Sequence, residues 1–120
     1  MDSARVVDAI EKGNFGTAKR RIEEIIADNE SQQNKYLKQS KKDVCGNIRS
    51  AITRSVKDKY VDYIVSGKTE EAETLRDNLI RLDIGYKRSD FNDWVKERRD
   101  KEKEQELIKQ EEERIKSEGK

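Results

Sequence analysis

The chain has 120 residues, of which 44% are charged and 32% are apolar, and its net charge is +1. No apolar run approaches the ~20 residues of a membrane-spanning helix, and the first five residues lack the apolar core of a secretory signal, so we expect a non-secreted protein. With no histidine and a single cysteine, Cys45, the sequence lacks the usual zinc sites and the Ser-His or Cys-His pairs of nucleophilic catalysis.

The absence of proline favours long uninterrupted helices, because proline is the strongest helix breaker. The spacing of apolar residues predicts a first helix over residues 2–12, with Asp2 or Ser3 as its N-cap. Gly13 predicts a left-handed C-terminal stop, and Asn14 is placed to cap the next helix.

A second helix is predicted from Phe15. Residues 28–34 are polar throughout and suit either a solvated stretch of a long helix or a turn. Tyr36 and Leu37 restore the apolar spacing, so we expect this helix to continue to about Lys42. The next weak point is then residues 46–47, which are Gly-Asn.

A third helix is predicted to end at residues 66–67, Ser-Gly, and Thr69 is placed to cap a fourth. Gly85 is expected to end the fourth helix. Its apolar positions recur at helical spacing and predict a buried face of Ala72, Leu75, Leu79 and Leu82.

The last predicted helix is capped by Ser89 or Asp90. Residues 96–120 contain nine basic and nine acidic residues, a composition typical of a helix with many surface ion pairs. A seven-residue step through Trp94, Lys101, Ile108 and Ile115 indicates a weak coiled-coil seam. Trp94 suits either an anchor that packs this helix on the core or an exposed anchor for a partner.

Two segments of the chain resemble each other at an offset of 54 residues. Residues 7–26 align with residues 61–80, and each segment reads as a helix, a glycine stop, a short turn and a second helix. Duplication and convergence both remain open as the origin of this similarity. In either case the pattern predicts two αα-hairpins, which stack and present surfaces to partners.

No group of residues predicts catalysis, a cofactor or a metal site. The neighbouring glutamates on one helix point in different directions, so they do not form a carboxylate pair for acid–base chemistry. A basic segment is more informative. If residues 35–59 formed one helix, five basic side chains would lie within an arc of about 100° beside the apolar face. This basic stripe could follow nucleic-acid phosphates or pair with an acidic protein. It consists of Lys35, Lys38, Lys42, Arg49 and Lys57.

Residues 7–15, Val-Asp-Ala-Ile-Glu-Lys-Gly-Asn-Phe, are followed by Ala18 and Lys19. This segment resembles the prohead core, or internal scaffold, proteins of tailed bacteriophages, and a looser similarity follows from Leu37 to Ile48. The resemblance covers residues 7–48. It implies a non-enzymatic protein of a virion or of capsid assembly, located in the host cytoplasm or in the particle.

The sequence therefore predicts an all-α fold, with two αα-hairpins in a small irregular bundle over residues 1–95 and a long charged helix over residues 96–120. The expected function is a structural or assembly protein, a helical adaptor that forms a homo-oligomer or hetero-oligomer and is not an enzyme. The alternatives are a small nucleic-acid-binding protein that uses the basic stripe, and an inhibitor of a host enzyme. The predicted protein interface consists of Phe91, Trp94, Val95, Leu107, Ile108 and Ile115.

Overall fold

The computed structural model describes residues 3–118 and folds them into five α-helices, with no strand in that range. The predicted all-α architecture is thus confirmed. The helices are α1 (Ser3–Glu11), α2 (Phe15–Glu30), α3 (Lys41–Val65), α4 (Thr69–Arg81) and α5 (Arg88–Glu118). The alternative first cap, Asp2, lies outside the described residues, as do residues 119–120 of the predicted C-terminal helix.

Helix α3 is the centre of the bundle and contacts each of the other four helices. Five of its six buried residues recur every fourth position, which places them in one row along the helix. This row packs against the surrounding helices and makes α3 the main contributor to the core. The row consists of Val44, Ile48, Ile52, Val56 and Tyr60.

The two predicted hairpins are present, and their turns are closed in the same way. Gly13 and Gly67 adopt φ angles of +79° and +78°, a left-handed conformation that favours glycine. The next amide, of Asn14 in one turn and Lys68 in the other, donates over 2.8 Å to the carbonyl five residues earlier. Each turn is therefore a Schellman motif. The similarity seen in the sequence extends to hydrogen bonds at equivalent positions.

Helix–helix approach is also equivalent in the two hairpins. Ala18 in α2 and Ala72 in α4 are fully buried, five residues after the glycine of each turn. Each donates its amide to the carbonyl of the residue just after that glycine, at 3.0 Å and 3.1 Å. A side chain of one carbon at this position lets the second helix of each hairpin pack closely on the first.

The structure corrects the predicted course of residues 15–47. Helix α2 ends at Glu30 instead of reaching Lys42, and α3 passes through Gly46 without a break. The physical reason lies at Ser40, whose hydroxyl accepts a hydrogen bond from the amide of Asp43 over 3.1 Å. This N-cap starts a new helix after ten residues of loop, so Gly46 lies in the second turn of α3.

Three predicted helix boundaries also shift by one to four residues. Lys68, not Thr69, is the N-cap of α4, because the Schellman turn ends on that residue. Helix α4 ends at Arg81, four residues before Gly85. Helix α5 begins ahead of both predicted caps, and Asp90 reaches back to accept from the amide of Lys87 over 2.9 Å. This is the backward half of a capping box.

Candidate interaction surface

The first part of helix α5 packs on the bundle, and its outer part is exposed to solvent. It is continuous from Arg88 to Glu118, so the predicted boundary at residues 95 and 96 falls inside one helix. Arg98 is the last half-buried residue, and residues 99–116 are all exposed. We call residues 3–98 the body and residues 99–118 the arm. The arm has about 20 residues and is about 30 Å long at 1.5 Å per residue. It contributes to a longest molecular dimension of 71 Å.

Two of the six predicted interface residues lie in the core of the body. Phe91 is fully buried and Trp94 is 8% exposed. Their rings lie 4.6 Å apart, and the ring of Tyr60 is 5.1 Å from Phe91. Val95 is half-buried against the same cluster. These side chains anchor α5 on α3, and that packing occupies the surface of Phe91 and Trp94 within the chain.

Ion pairs with α3 hold the last part of α5 that contacts the body. The guanidinium of Arg98 lies 2.6 Å from a carboxylate oxygen of Asp62 and 3.1 Å from one of Asp58. The hydrogen bond to Asp62 is the main cause that raises the pKa of Arg98 above its ordinary value. Lys57 pairs with Glu97 one residue earlier on α5. These contacts mark the point where the arm leaves the body.

The other three predicted interface residues lie on the arm. Leu107, Ile108 and Ile115 are 65%, 52% and 59% exposed. At 100° per residue they share an arc of about 100° with Glu104 and Glu111. We call these five residues the arm patch. Across residues 104–116 the sequence has five acidic and three basic residues, so the patch lies in an acidic part of the helix.

The structure also corrects the predicted basic stripe. Lys35 and Lys38 lie in the loop between α2 and α3, because the continuous helix that would align them is absent. Arg49 is half-buried and donates to the carbonyl of Ile84 over 2.6 Å. Lys57 is paired with Glu97, and Lys42 stays exposed in the first turn of α3. The five residues therefore do not form one surface.

In place of the stripe, residues 31–40 form a fully exposed loop with an apolar tip. Tyr36 is 87% exposed and Leu37 is 63% exposed. Lys35 and Lys38 flank them, and the ammonium of Lys35 lies 5.4 Å from the centre of the Tyr36 ring. We call these four residues the loop patch. Residues 31–42 contain four lysines and no acidic residue.

Hydrogen bonds give this loop a defined shape. The side-chain amide of Asn29 donates to the carbonyl of Gln39 over 2.7 Å and accepts from its amide over 2.9 Å, which closes the base. At the tip, the side chain of Asn34 accepts from the amide of Tyr36, and its carbonyl accepts from the amide of Leu37. The apolar tip is therefore held out by its own backbone instead of folding back on the bundle.

Sequence reasoning missed the loop patch, although two local signals were present. Ser40 followed by Asp43 three residues later is an N-terminal helix signature. Asn34, which favours turns, precedes the apolar pair. Both signals were outweighed by the helical spacing of Tyr36 and Leu37, which in the structure face solvent.

The remaining features of the body hold its loops in place. The hydroxyl of Tyr86 donates to the carbonyl of Arg49 over 2.9 Å and lies 2.8 Å from the hydroxyl of Thr53. Burial of the phenol raises the pKa of Tyr86 to about 12. An open groove of about 500 Å³ lies beside the hairpin turn at Gly13 and is lined in part by Phe15 and Leu75. Cys45 is half-buried.

Within residues 3–118, no three Cys, Asp or Glu side chains are grouped so that they could hold a metal ion. No helix in that range has the length and apolar character needed to cross a membrane. Comparison of the chain with protein-family models, with curated proteins and with solved structures gave no significant match.

Proposed function

We propose that the protein is a non-catalytic helical adaptor that binds other protein chains through its arm. The observation that carries this proposal is the exposure of Leu107, Ile108 and Ile115 on a helix that extends about 30 Å from its own core. These apolar side chains have no partner among the residues that the structure describes. Helices with apolar residues at seven-residue spacing commonly bury them against another helix.

The two halves of α5 support this proposal because the first packs on the body and the second is exposed. The first half uses Phe91 and Trp94 to pack on α3, so the body stays folded whatever the arm binds. The second half does not pack on the body, since residues 99–116 are all exposed. Tight packing at one end and free apolar residues at the other suit a module that presents a binding helix.

The setting that we propose is the assembly of a bacteriophage particle. Its support is the resemblance of residues 7–48 to prohead core proteins, and the hairpin turn at Gly13 is the segment that carries this resemblance. Nucleic acid is the weaker candidate partner, because the stripe that motivated it is divided between a loop, a buried contact and an ion pair.

The proposal is tested by photo-crosslinking at one position of the arm patch. Benzoylphenylalanine replaces Ile108 in one variant and Glu106 in a matched control, which lies about 160° around the helix. Both variants are irradiated in the cells that make the protein. We expect protein adducts at position 108 several-fold above those at position 106. Equal yields at the two positions, or adducts to nucleic acid alone, would refute the adaptor proposal.

A further inference from the structure

The chain has two exposed apolar patches that differ in charge. Among the side chains that the structure describes, six large hydrophobic residues are exposed, and five of them lie in the loop patch or the arm patch. Residues 31–42, which contain Tyr36 and Leu37, have four lysines and no acidic residue. Residues 104–116, which contain Leu107, Ile108 and Ile115, have five acidic and three basic residues, and one of these acids, Glu111, is paired with Arg114. Both surfaces are therefore apolar, and they lie in segments whose net charges have opposite signs.

The two patches lie at opposite ends of the molecule. The loop patch lies just before the N-terminal end of α3. Helix α5 runs parallel to α3, towards its C-terminal end: Tyr86, just before α5, contacts Thr53, and Arg98 contacts Asp62 further along α3. The arm thus leaves beyond the C-terminal end of α3.

The separation of the patches follows from helix geometry. About 21 residues of α3 separate Lys41 from Asp62, which is about 32 Å, and Glu111 lies about 20 Å beyond Arg98 on α5. A distance of this size fits the longest dimension of 71 Å. The arm patch therefore does not reach the loop patch of its own chain.

From these observations we infer that the arm patch of one copy binds the loop patch of a second copy, head to tail. This inference rests on the proposed function and names the partner of the arm as another molecule of the same chain. A heterologous contact of this kind leaves one free patch at each end, so each added copy creates a new binding site. The product is an open chain, or a ring if the rotation between copies closes.

The contact is small and partly electrostatic, so it is weak and depends on salt. Two patches of four or five residues are well below the size of a stable interface. We expect the weight-average sedimentation coefficient of the protein to rise steadily between about 10 μM and about 1 mM, as for a transient contact. The rise should decrease when the salt concentration is raised, because screening weakens the attraction of lysines for glutamates.

The test uses two variants that each block one patch. The loop variant is Tyr36→Ser with Leu37→Ser, and the arm variant is Leu107→Gln with Ile108→Gln. All four positions are exposed, so both variants should keep the melting temperature of the parent chain. A matched control is Val65→Ser, which removes an exposed apolar residue outside both patches.

Analytical ultracentrifugation of the variants separates head-to-tail association from the other modes. Each blocked variant alone should stay monomeric, the Val65→Ser control should associate like the parent, and a mixture of the two blocked variants should form a dimer and stop there. That capped dimer arises because the intact arm of one variant meets the intact loop of the other. No other pairing of intact patches is available in the mixture.

Three results would overturn the head-to-tail contact. If the loop variant alone still associates, the arm binds another arm, and the proposed function stands without this inference. If the parent chain stays monomeric, self-association fails, while specific protein adducts at position 108 would still support the adaptor. If the parent binds a labelled oligonucleotide and only the loop variant loses that binding, the loop patch is a nucleic-acid surface instead.

Discussion

Glycine-to-alanine substitutions should lower the unfolding free energy at Gly13 and Gly67 and raise it at Gly46. At Gly13 and Gly67 the added methyl group meets no atom within 4 Å, so the cost comes from the backbone alone. Holding an L-residue at a φ near +79° costs about 1 to 2 kcal/mol, and the stiffer unfolded chain returns about 0.4 to 1 kcal/mol. Each variant should therefore lose about 1 kcal/mol of unfolding free energy, and the two losses should agree because the turns are equivalent.

The matched substitution is Gly46→Ala. Gly46 lies inside α3, and its nearest neighbour is a side-chain nitrogen of Arg49 at 4.0 Å, an ordinary contact. Alanine is better than glycine in a helix interior by about 1 kcal/mol, so this variant should be more stable than the parent. The effect of a glycine-to-alanine substitution on the unfolding free energy should thus differ by about 2 kcal/mol between a turn and a helix.

Urea unfolding followed by circular dichroism at 222 nm measures these differences, with thermal melting as a second readout. A change of 1 kcal/mol should move the melting temperature by about 4 °C in a domain of this size. Loss of stability in Gly46→Ala would show that α3 is broken near residue 46. A Gly13→Ala variant as stable as the parent would refute the left-handed assignment of that turn.

Other substitutions test the body and the arm separately. Phe91→Ala should lose about 3 to 5 kcal/mol because a fully buried ring leaves a cavity, whereas Leu107→Ala on the exposed arm should change stability by less than about 0.5 kcal/mol; urea unfolding of both variants checks this contrast. Arg98→Gln removes the contacts to α3, so hydrogen exchange of the arm amides should quicken while that of the bundle stays unchanged. For Tyr86 the raised pKa means that the folded state holds the phenolic proton between about pH 10 and about pH 12, where the unfolded chain releases it. Stability should therefore fall as the pH rises through this window, and Tyr86→Phe should lose less stability than the parent between about pH 9 and about pH 11.

Much of the fold could be predicted from the sequence because its signals are local. A glycine that separates two segments of helical apolar spacing marks a hairpin turn, and Gly13 and Gly67 both lie in such a pattern, two residues before the next helix begins. The buried face of α4 follows from apolar spacing alone. The exact caps are less predictable, since Lys68 and Lys87 occupy cap positions through backbone geometry rather than through their own side chains.

The surface was less predictable because its outcome depends on contacts between distant residues. Tyr36 continues the apolar spacing of α2, whereas the pairing of Asn29 with Gln39, ten residues later, shows that the helix has already ended. Phe91 and Trp94 suit a core and an interface equally well. Their contacts with Tyr60, more than 30 residues earlier, decide in favour of the core.

The continuity of α5 also gives the molecule a mechanical property. The 31 residues of this helix contain neither glycine nor proline. No hinge therefore separates the packed rings of Phe91 and Trp94 from the outer end of the helix. A rigid rod fixed at its base amplifies small rotations: a tilt of about 10° at the core displaces a point about 30 Å away by about 5 Å. Repacking around Phe91 would therefore change the direction in which the far end points, and a bound neighbour would turn with it.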